Sequence, residues 1–557
     1  MSESLLSAPV VLGLGVLLLV LTCVYPFLTL FWKVLFSGPD QTLDLEPLLY
    51  VVQNRSTLKA ISNTLFVSLA TSGISVLLAL PLAWLMTQTD LPKASLFRSL
   101  YCLPYAIPPY IGAIAWIYLA NPTNGFLTQI FGQGSLNIYT YPGLIWVMAS
   151  FLYTFVLLSL LSTFDRMDSS LIEAARLSGA SPLRVLGQIM LPLALPSLLS
   201  GALLVGLASA ASFGVPALIG SPARIFLMTT KIYTLQKMGS LNGIYQAGAL
   251  SLVLLVLAIA VLVFNQALNR RLSFQMVGGK AARASLIELD RWKGPIIIMM
   301  ISGLFVLFVL PVGGVLLTAL SRVPGVWSAD NFSLANFGRV FLEMDETGRA
   351  LWNSLRLGVG AATAATLLGA LIAYIQQKTR VRGRSLLEVM SAIPFSIPGT
   401  VVALALIMTF SGRLFGVLPS LYNTLALLWL AYVTKYLNFS VRTAGDGFSQ
   451  IHDCLGEAAR VSGASWFQSL RTIWMPLLKP SLVAAWFLVF MPVFSELTMT
   501  VMLSGPGMET VGTLLFQLQE YADVSGGGAA VLALVIVMSV TAVNVIVKTV
   551  SKGKYGL

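Results

Sequence analysis

Residues 173–198 read EAARLSGASPLRVLGQIMLPLALPSL, and residues 457–482 read EAARVSGASWFQSLRTIWMPLLKPSL. Glu-Ala-Ala-Arg, Ser-Gly-Ala-Ser and the closing Pro-Leu-x-x-Pro-Ser-Leu recur in register at an offset of 284, which also relates Pro222 to Pro506 and Thr229 to Thr513. Upstream, Leu-Pro-Tyr-Ala-Ile-Pro at 103–108 matches Ile-Pro-Phe-Ser-Ile-Pro at 393–398, and Asn63 matches Asn353, both at an offset of 290. A few residues are therefore lost inside the second copy. Self-similarity at so long a period means that the chain is a duplicated unit.

Around these stretches the chain is strongly apolar. Of 557 residues, 57% are hydrophobic and 10% charged, against about 25% charged in soluble chains. Runs of roughly 20 apolar residues cross a bilayer as helices, whose backbone groups are satisfied internally. Such runs are predicted at 9–32, 61–87, 98–120, 141–163, 191–214 and 245–268, then at 294–320, 351–376, 386–411, 421–443, 477–502 and 527–549. The first reads as a retained span and not a signal peptide, because no basic segment precedes it and no small-residue cleavage site follows a short core.

The expected fold is an all-α polytopic membrane protein, two parallel six-helix repeats about an axis along the membrane normal. Residues 1–268 form the first half, 269–293 a linker and 294–557 the second half. Arg270, Arg271, Lys280, Arg283, Arg291 and Lys293 fall in the linker, and Lys378, Arg380, Arg382 and Arg384 follow the eighth span, whereas the loop 121–140 carries no charge. The positive-inside rule then places both termini in the cytoplasm. The net charge of +12 reflects this bias, and its dispersal among spans speaks against nucleic acid as a partner.

Each repeated segment falls in the loop between the fourth and fifth spans, at 173–192 and 457–476. Ala favours a helix there, and Glu173 or Glu457 suits a helix N-terminus. Gly179 and Gly463 permit a turn that other residues resist. Ser181 with Pro182, and Ser465, suit the start of a second helix, expected to end at Pro192 or Pro476. The pattern resembles the signature loop of binding-protein-dependent ABC importer permeases. That resemblance implies two coupling helices, carried by Glu173, Ala174, Ala175, Gly179, Ala180, Glu457, Ala458, Ala459, Gly463 and Ala464, docking on two copies of a cytoplasmic ATPase subunit. It also implies a periplasmic solute-binding protein, alternating access, and a place in the bacterial inner membrane.

ATP and Mg would be held by the partner, since no G-x-x-x-x-G-K-[ST] loop occurs and Gly278-Gly279-Lys280 lacks the first glycine. No cofactor or metal is expected in this chain. Cys23, Cys102 and Cys454 are scattered and His452 is the single histidine, which gives no ligand set. An enzyme embedded in the membrane would need a nucleophile with its base or a carboxylate pair, and a secondary transporter usually buries several acids near the midplane; neither pattern is present.

The fused layout resembles ferric iron uptake permeases, with thiamine permeases close behind. The stretches 494–510, FSELTMTVMLSGPGMET, and 213–220, FGVPALIG, resemble the iron group more. Glu496 is an acid in an apolar span, a functional candidate by default, and its repeat mate is Ser212; the pair is expected on the substrate path, Glu496 attracting a cation. Lys435, also within a span, is expected to snorkel to the interface. In the outer loops Arg224, Lys231 and Lys237 oppose Glu509, Glu520 and Asp523, and the two sets are expected to meet different lobes of the binding protein.

Overall fold

The computed structural model describes residues 13, 15–17, 19–38, 41–272, 286–323, 326, 328–379, 382–412, 419–452, 454–520 and 527–550. Asp523, Lys280, Arg283, Arg380 and most of the linker lie outside the described residues. Among those described, helices occupy all twelve predicted positions. Nine are long and apolar enough to cross a membrane: Gly15–Leu35, Arg55–Gln88, Tyr141–Asp165, Pro182–Ala211, Leu241–Arg271, Asp290–Leu320, Asp345–Lys378, Arg471–Phe494 and Gly527–Val547. Arg55–Gln88 and Asp345–Lys378 correspond residue for residue at the upstream offset.

The other three positions depart from simple spans. The predicted spans 98–120 and 386–411 are each broken into two helices, Ala94–Ala106 with Pro109–Ala120 bent by 97°, and Arg384–Ser396 with Gly399–Phe410 bent by 106°. The cause is the repeated Ile-Pro. A proline disfavours helical backbone in the residue before it and donates no hydrogen bond, and Ile107 and Ile397 are accordingly extended, at ψ 126° and 140°. The tenth, Leu425–Ser449, is 25 residues long but carries Lys435, Arg442 and Asp446, and no stretch of it is as apolar as those of the nine. It is placed by packing, against both the Asp345–Lys378 and Arg471–Phe494 helices.

In each half the second, fourth and fifth spans pack on one another. The cores they start are finished by the other half. Leu144, Val156 and Leu160 of the first half share a core with Met300, Leu307 and Val315 from the second half's first span and with Val531 and Ile536 from its last. Conversely, Ala361, Val402 and Leu428 of the second half share a core with Leu19, Leu30 and Val34 and with Ala247, Leu250 and Leu254 from the first half's outer spans. Tyr101 marks one crossing, its hydroxyl donating to the Met300 carbonyl at 2.6 Å.

The described end of the linker is strapped to the loop after the second span. Ile287 N–H donates to the Gln88 carbonyl (2.9 Å) and Asp90 N–H to the Ile287 carbonyl (3.0 Å). The Asp90 carboxylate accepts from Lys293 Nζ at 2.7 Å and from the Leu289 N–H at 3.0 Å. The Lys293 hydrogen bond, then the Leu289 amide, holds the Asp90 carboxyl below its ordinary range. A depressed carboxyl pKa stabilises the strap above the unfolded value, about 3.9, and that contribution is lost as pH falls through the folded value. Trypsin cleavage after Arg291 and Lys293 is therefore expected to stay slow in the wild type at neutral pH, and Asp90→Asn to accelerate it there. Equal cleavage of the two proteins would remove Asp90 from the strap.

Candidate functional site

The loop between the fourth and fifth spans is built alike in both halves. In the first, helix Ser169–Leu177 is capped by Asp168, which accepts from Ser170 N–H at 2.9 Å. Glu173 therefore sits mid-helix, not at the N-terminus as its charge led one to expect; the shorter carboxylate upstream supplies the cap. Helix Cys454–Val461 keeps Glu457 in its first turn. Gly179 and Gly463 have φ of +81° and +78°. The Ala180 N–H then reaches back to the Ala175 carbonyl and Ala464 to Ala459, both at 3.0 Å, the six-to-one bond of a Schellman ending. A side chain at either glycine meets no atom, so the requirement lies in the backbone turn and not in space.

The second helices start as expected. Ser181 Oγ accepts from Arg184 N–H at 3.4 Å. Ser465 accepts from Gln468 N–H at 3.2 Å while Gln468 Oε1 accepts from Ser465 N–H at 2.8 Å, a reciprocal capping box. They do not end at Pro192 and Pro476. Each runs through one wide π turn, Leu186–Met190 or Leu470–Trp474, straight into the fifth span. The wider turn lies just before the proline, which has no amide hydrogen to donate, and the helix continues past it.

Glu173, Ala174, Gly179, Glu457, Ala458 and Gly463 are exposed, Ala175, Ala180 and Ala464 half-buried, and Ala459 buried. The sequence had not singled out Leu177 and Val461, the last residues of the two repeated helices Ser169–Leu177 and Cys454–Val461. They are 90% and 89% exposed. A lone exposed aliphatic residue means little, but two at matching positions, on matching loops, present a matched pair of apolar knobs. Polar ties hold the loops' roots. Arg98 pairs bidentately with Asp165 at 2.8 Å and bonds the Met86 carbonyl. Lys378 donates to the Ile451 carbonyl at 2.8 Å.

At the far end of the fifth spans the halves meet. Tyr110 of the first half donates to the Ser495 carbonyl of the second at 3.0 Å. Gly214 permits the approach: a Cβ there would lie 2.5 Å from Tyr110 Cβ and 3.1 Å from Leu497 Cδ2. The 213–220 and 494–510 stretches thus abut. Glu496 is buried, its carboxylate folded onto its own chain. It accepts from Met499 N–H (2.9 Å), Thr500 N–H (2.9 Å) and Thr500 Oγ1 (2.6 Å), and Thr500 in turn meets Tyr432 at 2.5 Å. Ser212 is half-buried, its carbonyl accepting from Thr229 Oγ1 at 2.7 Å.

Lys435 does not snorkel. Its ammonium donates to the carbonyls of Pro394 and Phe395 at 3.1 Å and to that of Ile397, satisfying the open C-terminal end of the Arg384–Ser396 helix at the break. The first half closes the same break with a tight turn, Leu103–Ala106, and has Phe151 where Lys435 stands. After the eleventh span Glu509 accepts from Gly507 N–H at 3.0 Å and lies 4.0 Å from Arg349. Lys231 donates to Ser56 at 3.1 Å. Arg224, Lys237 and Glu520 are exposed.

Residues 74–274 and 365–552 match a family described as binding-protein-dependent transport system inner membrane component. A putative ferric transport system permease protein of Haemophilus influenzae is 27% identical over 84% of this chain and 74% of its own. A ferric transport system permease protein of Actinobacillus pleuropneumoniae is 26% identical over 84% of this chain and 68% of its own. A chain from the crystal structure of a bacterial alginate ABC transporter aligns with 48% of this chain and 98% of its own, at 17% identity and a TM-score of 0.40.

Proposed function

The chain belongs to the family of binding-protein-dependent transport system inner membrane components, and from that premise we propose that it carries ferric iron across the bacterial inner membrane as the permease of an ATP-driven importer. ATP is hydrolysed elsewhere, on two copies of a separate ATPase subunit that sit on the docking helices Ser169–Leu177 and Cys454–Val461. Both termini and both docking loops face the cytoplasm, and a periplasmic binding protein delivers the cargo to the opposite face. The observation that carries the importer reading is the pair of docking loops, alike in architecture, each with an exposed aliphatic residue at the end of its first helix. The cargo reading is supported by relatives that span both halves and are named for ferric transport.

Two copies of one loop suit two copies of one partner. An ATPase dimer that closes on ATP moves its two docking clefts together, and rigid loop roots pass that displacement to the fifth spans through the continuous helices behind them. The test uses the permease reconstituted in lipid with its ATPase and binding protein. ATP hydrolysis is expected to rise with iron-loaded binding protein and not with thiamine-loaded or empty protein. Stimulation by thiamine alone would replace the cargo and keep the mechanism, while a permease that associates with no ATPase would overturn both.

A further inference from the structure

On the docking-loop side of the first half, a cavity of about 360 Å³ opens between the fourth, fifth and sixth spans. It is lined by Ser159, Thr163 and Arg166, by Ser197 and Ser200, and by Asn269. Hydrogen bonds organise the wall: Thr163 Oγ1 meets Ser197 Oγ at 2.7 Å, Ser200 Oγ donates to Asn265 Oδ1 at 2.8 Å, and Asn269 Nδ2 donates to Ser200 Oγ at 3.3 Å. No acid lines it. The nearest acids along the chain are already committed, Asp165 to Arg98 and Asp168 to the Ser170 amide. Among the described residues the Arg166 guanidinium has no hydrogen bond or ion pair. A polar pocket with one cation, several hydroxyls and no counter-charge is suited to an anion, and guanidinium is suited above all to phosphate oxygens.

The second half argues that this is not merely framework. At the repeat offset Thr163, Arg166 and Ser200 become Gly447, Gln450 and Ala484, and a Cβ on Gly447 would lie 2.7 Å from Ser481 Oγ. The corresponding lining carries no cation: Arg166 gives way to Gln450, and Ser162, which also lines the cavity, becomes the acid Asp446. Ser481 and Thr443 keep the hydroxyls of Ser197 and Ser159, so what the first copy adds is the cation, which a residue needed only to end a span would not require.

The position names the source of the phosphate. Arg166 follows the last residue of the fourth span, and Asn269 precedes Arg270 and Arg271 at the end of the sixth, so the cavity lies at headgroup depth. Val261 and Leu262, one turn inward of Asn265 on the same helix face, are half-buried apolar side chains, a surface for acyl chains. Basic pockets between spans on the cytoplasmic side bind anionic headgroups. We propose that this cavity is a site for one anionic phospholipid of the inner leaflet, its phosphate on Arg166 and its polar headgroup on the serines and Asn269. The site lies immediately before the Ser169–Leu177 helix, so an occupied headgroup steadies one docking helix and not the other. The inference rests on the proposed orientation but not on the cargo.

The test is native mass spectrometry of the full chain purified in detergent, exchanged into phosphatidylcholine and offered phosphatidylglycerol. The wild type is expected to retain one phosphatidylglycerol per chain. Arg166→Gln should weaken retention about five- to tenfold, Arg166→Lys less. Ser200→Leu, which fills the cavity from another helix without altering charge, should weaken it as Arg166→Gln does, and monodisperse elution shows that each variant is folded. Retention in Arg166→Gln equal to the wild type, or displacement of the lipid by inorganic phosphate, would overturn the lipid assignment, the latter in favour of a free-anion pocket. Either failure leaves the iron-stimulated ATPase test untouched.

Discussion

Glutamate at both Leu177 and Val461 is expected to lower binding-protein-stimulated ATP hydrolysis by at least about a hundredfold, with the permease still folded. Both side chains are almost wholly exposed, so the substitutions remove nothing from the core and create no buried charge in the free chain. In the assembled importer the same side chains would enter a partner cleft. Truncating one such anchor typically costs 2–4 kcal/mol, and every 1.4 kcal/mol is tenfold; a carboxylate forced into an apolar cleft costs more than a truncation. The single variants should each lose less than the double. Co-purification with the ATPase and stimulated hydrolysis are the measurements, with thermal stability of the permease as control. Wild-type stimulation in the double variant would mean that these residues do not touch the partner.

Glu496→Gln is expected to destabilise the permease by about 2–4 kcal/mol, seen as a lower melting temperature and a smaller folded yield. The carboxylate accepts from two backbone amides and one hydroxyl in a buried site. An amide side chain offers one acceptor oxygen and turns an NH2 toward the remaining donors, and each buried donor left unpaired costs about 1–3 kcal/mol. Thr500→Val should be milder, since it removes one donor and leaves the backbone bonds. If Glu496→Gln instead melts like the wild type while iron transport disappears, the carboxylate faces the cargo in another conformation of the cycle. The two roles therefore separate on stability, not on transport alone.

What could be read from the sequence was whatever repeats or counts residues. The duplication, the twelve helices, the two repeated loops, and Gly179 and Gly463 as turn residues all follow from local composition and register. What escaped has a common physical origin. Hydropathy shows that a stretch is apolar but not that it is straight, so Ile107-Pro108 and Ile397-Pro398 were seen as a repeat but not as breaks. It shows that a face is buried but not which helix covers it, so the exchange of outer spans between the halves left no trace. Lys435 looked like an interfacial lysine because its partners are backbone carbonyls, which no side-chain pattern can reveal. Leu177 and Val461 lay inside the quoted repeat and were passed over because an aliphatic residue reads as core until its exposure is seen.

The exchange of outer spans bears on how the chain is made. The first half's core is closed by Val531 and Ile536, on a helix that begins at Gly527, long after the fifth span ends at Ala211. At about 5–20 residues per second, the fourth and fifth spans wait on the order of tens of seconds in the bilayer before their final neighbour arrives. During that interval their apolar faces are covered by lipid or by insertion machinery, and their polar groups can pair wrongly. Fusion of the halves into one polypeptide guarantees that the missing helix arrives at the right place and in equal number, a safeguard that two separately translated halves would have to obtain from matched expression and chance encounter.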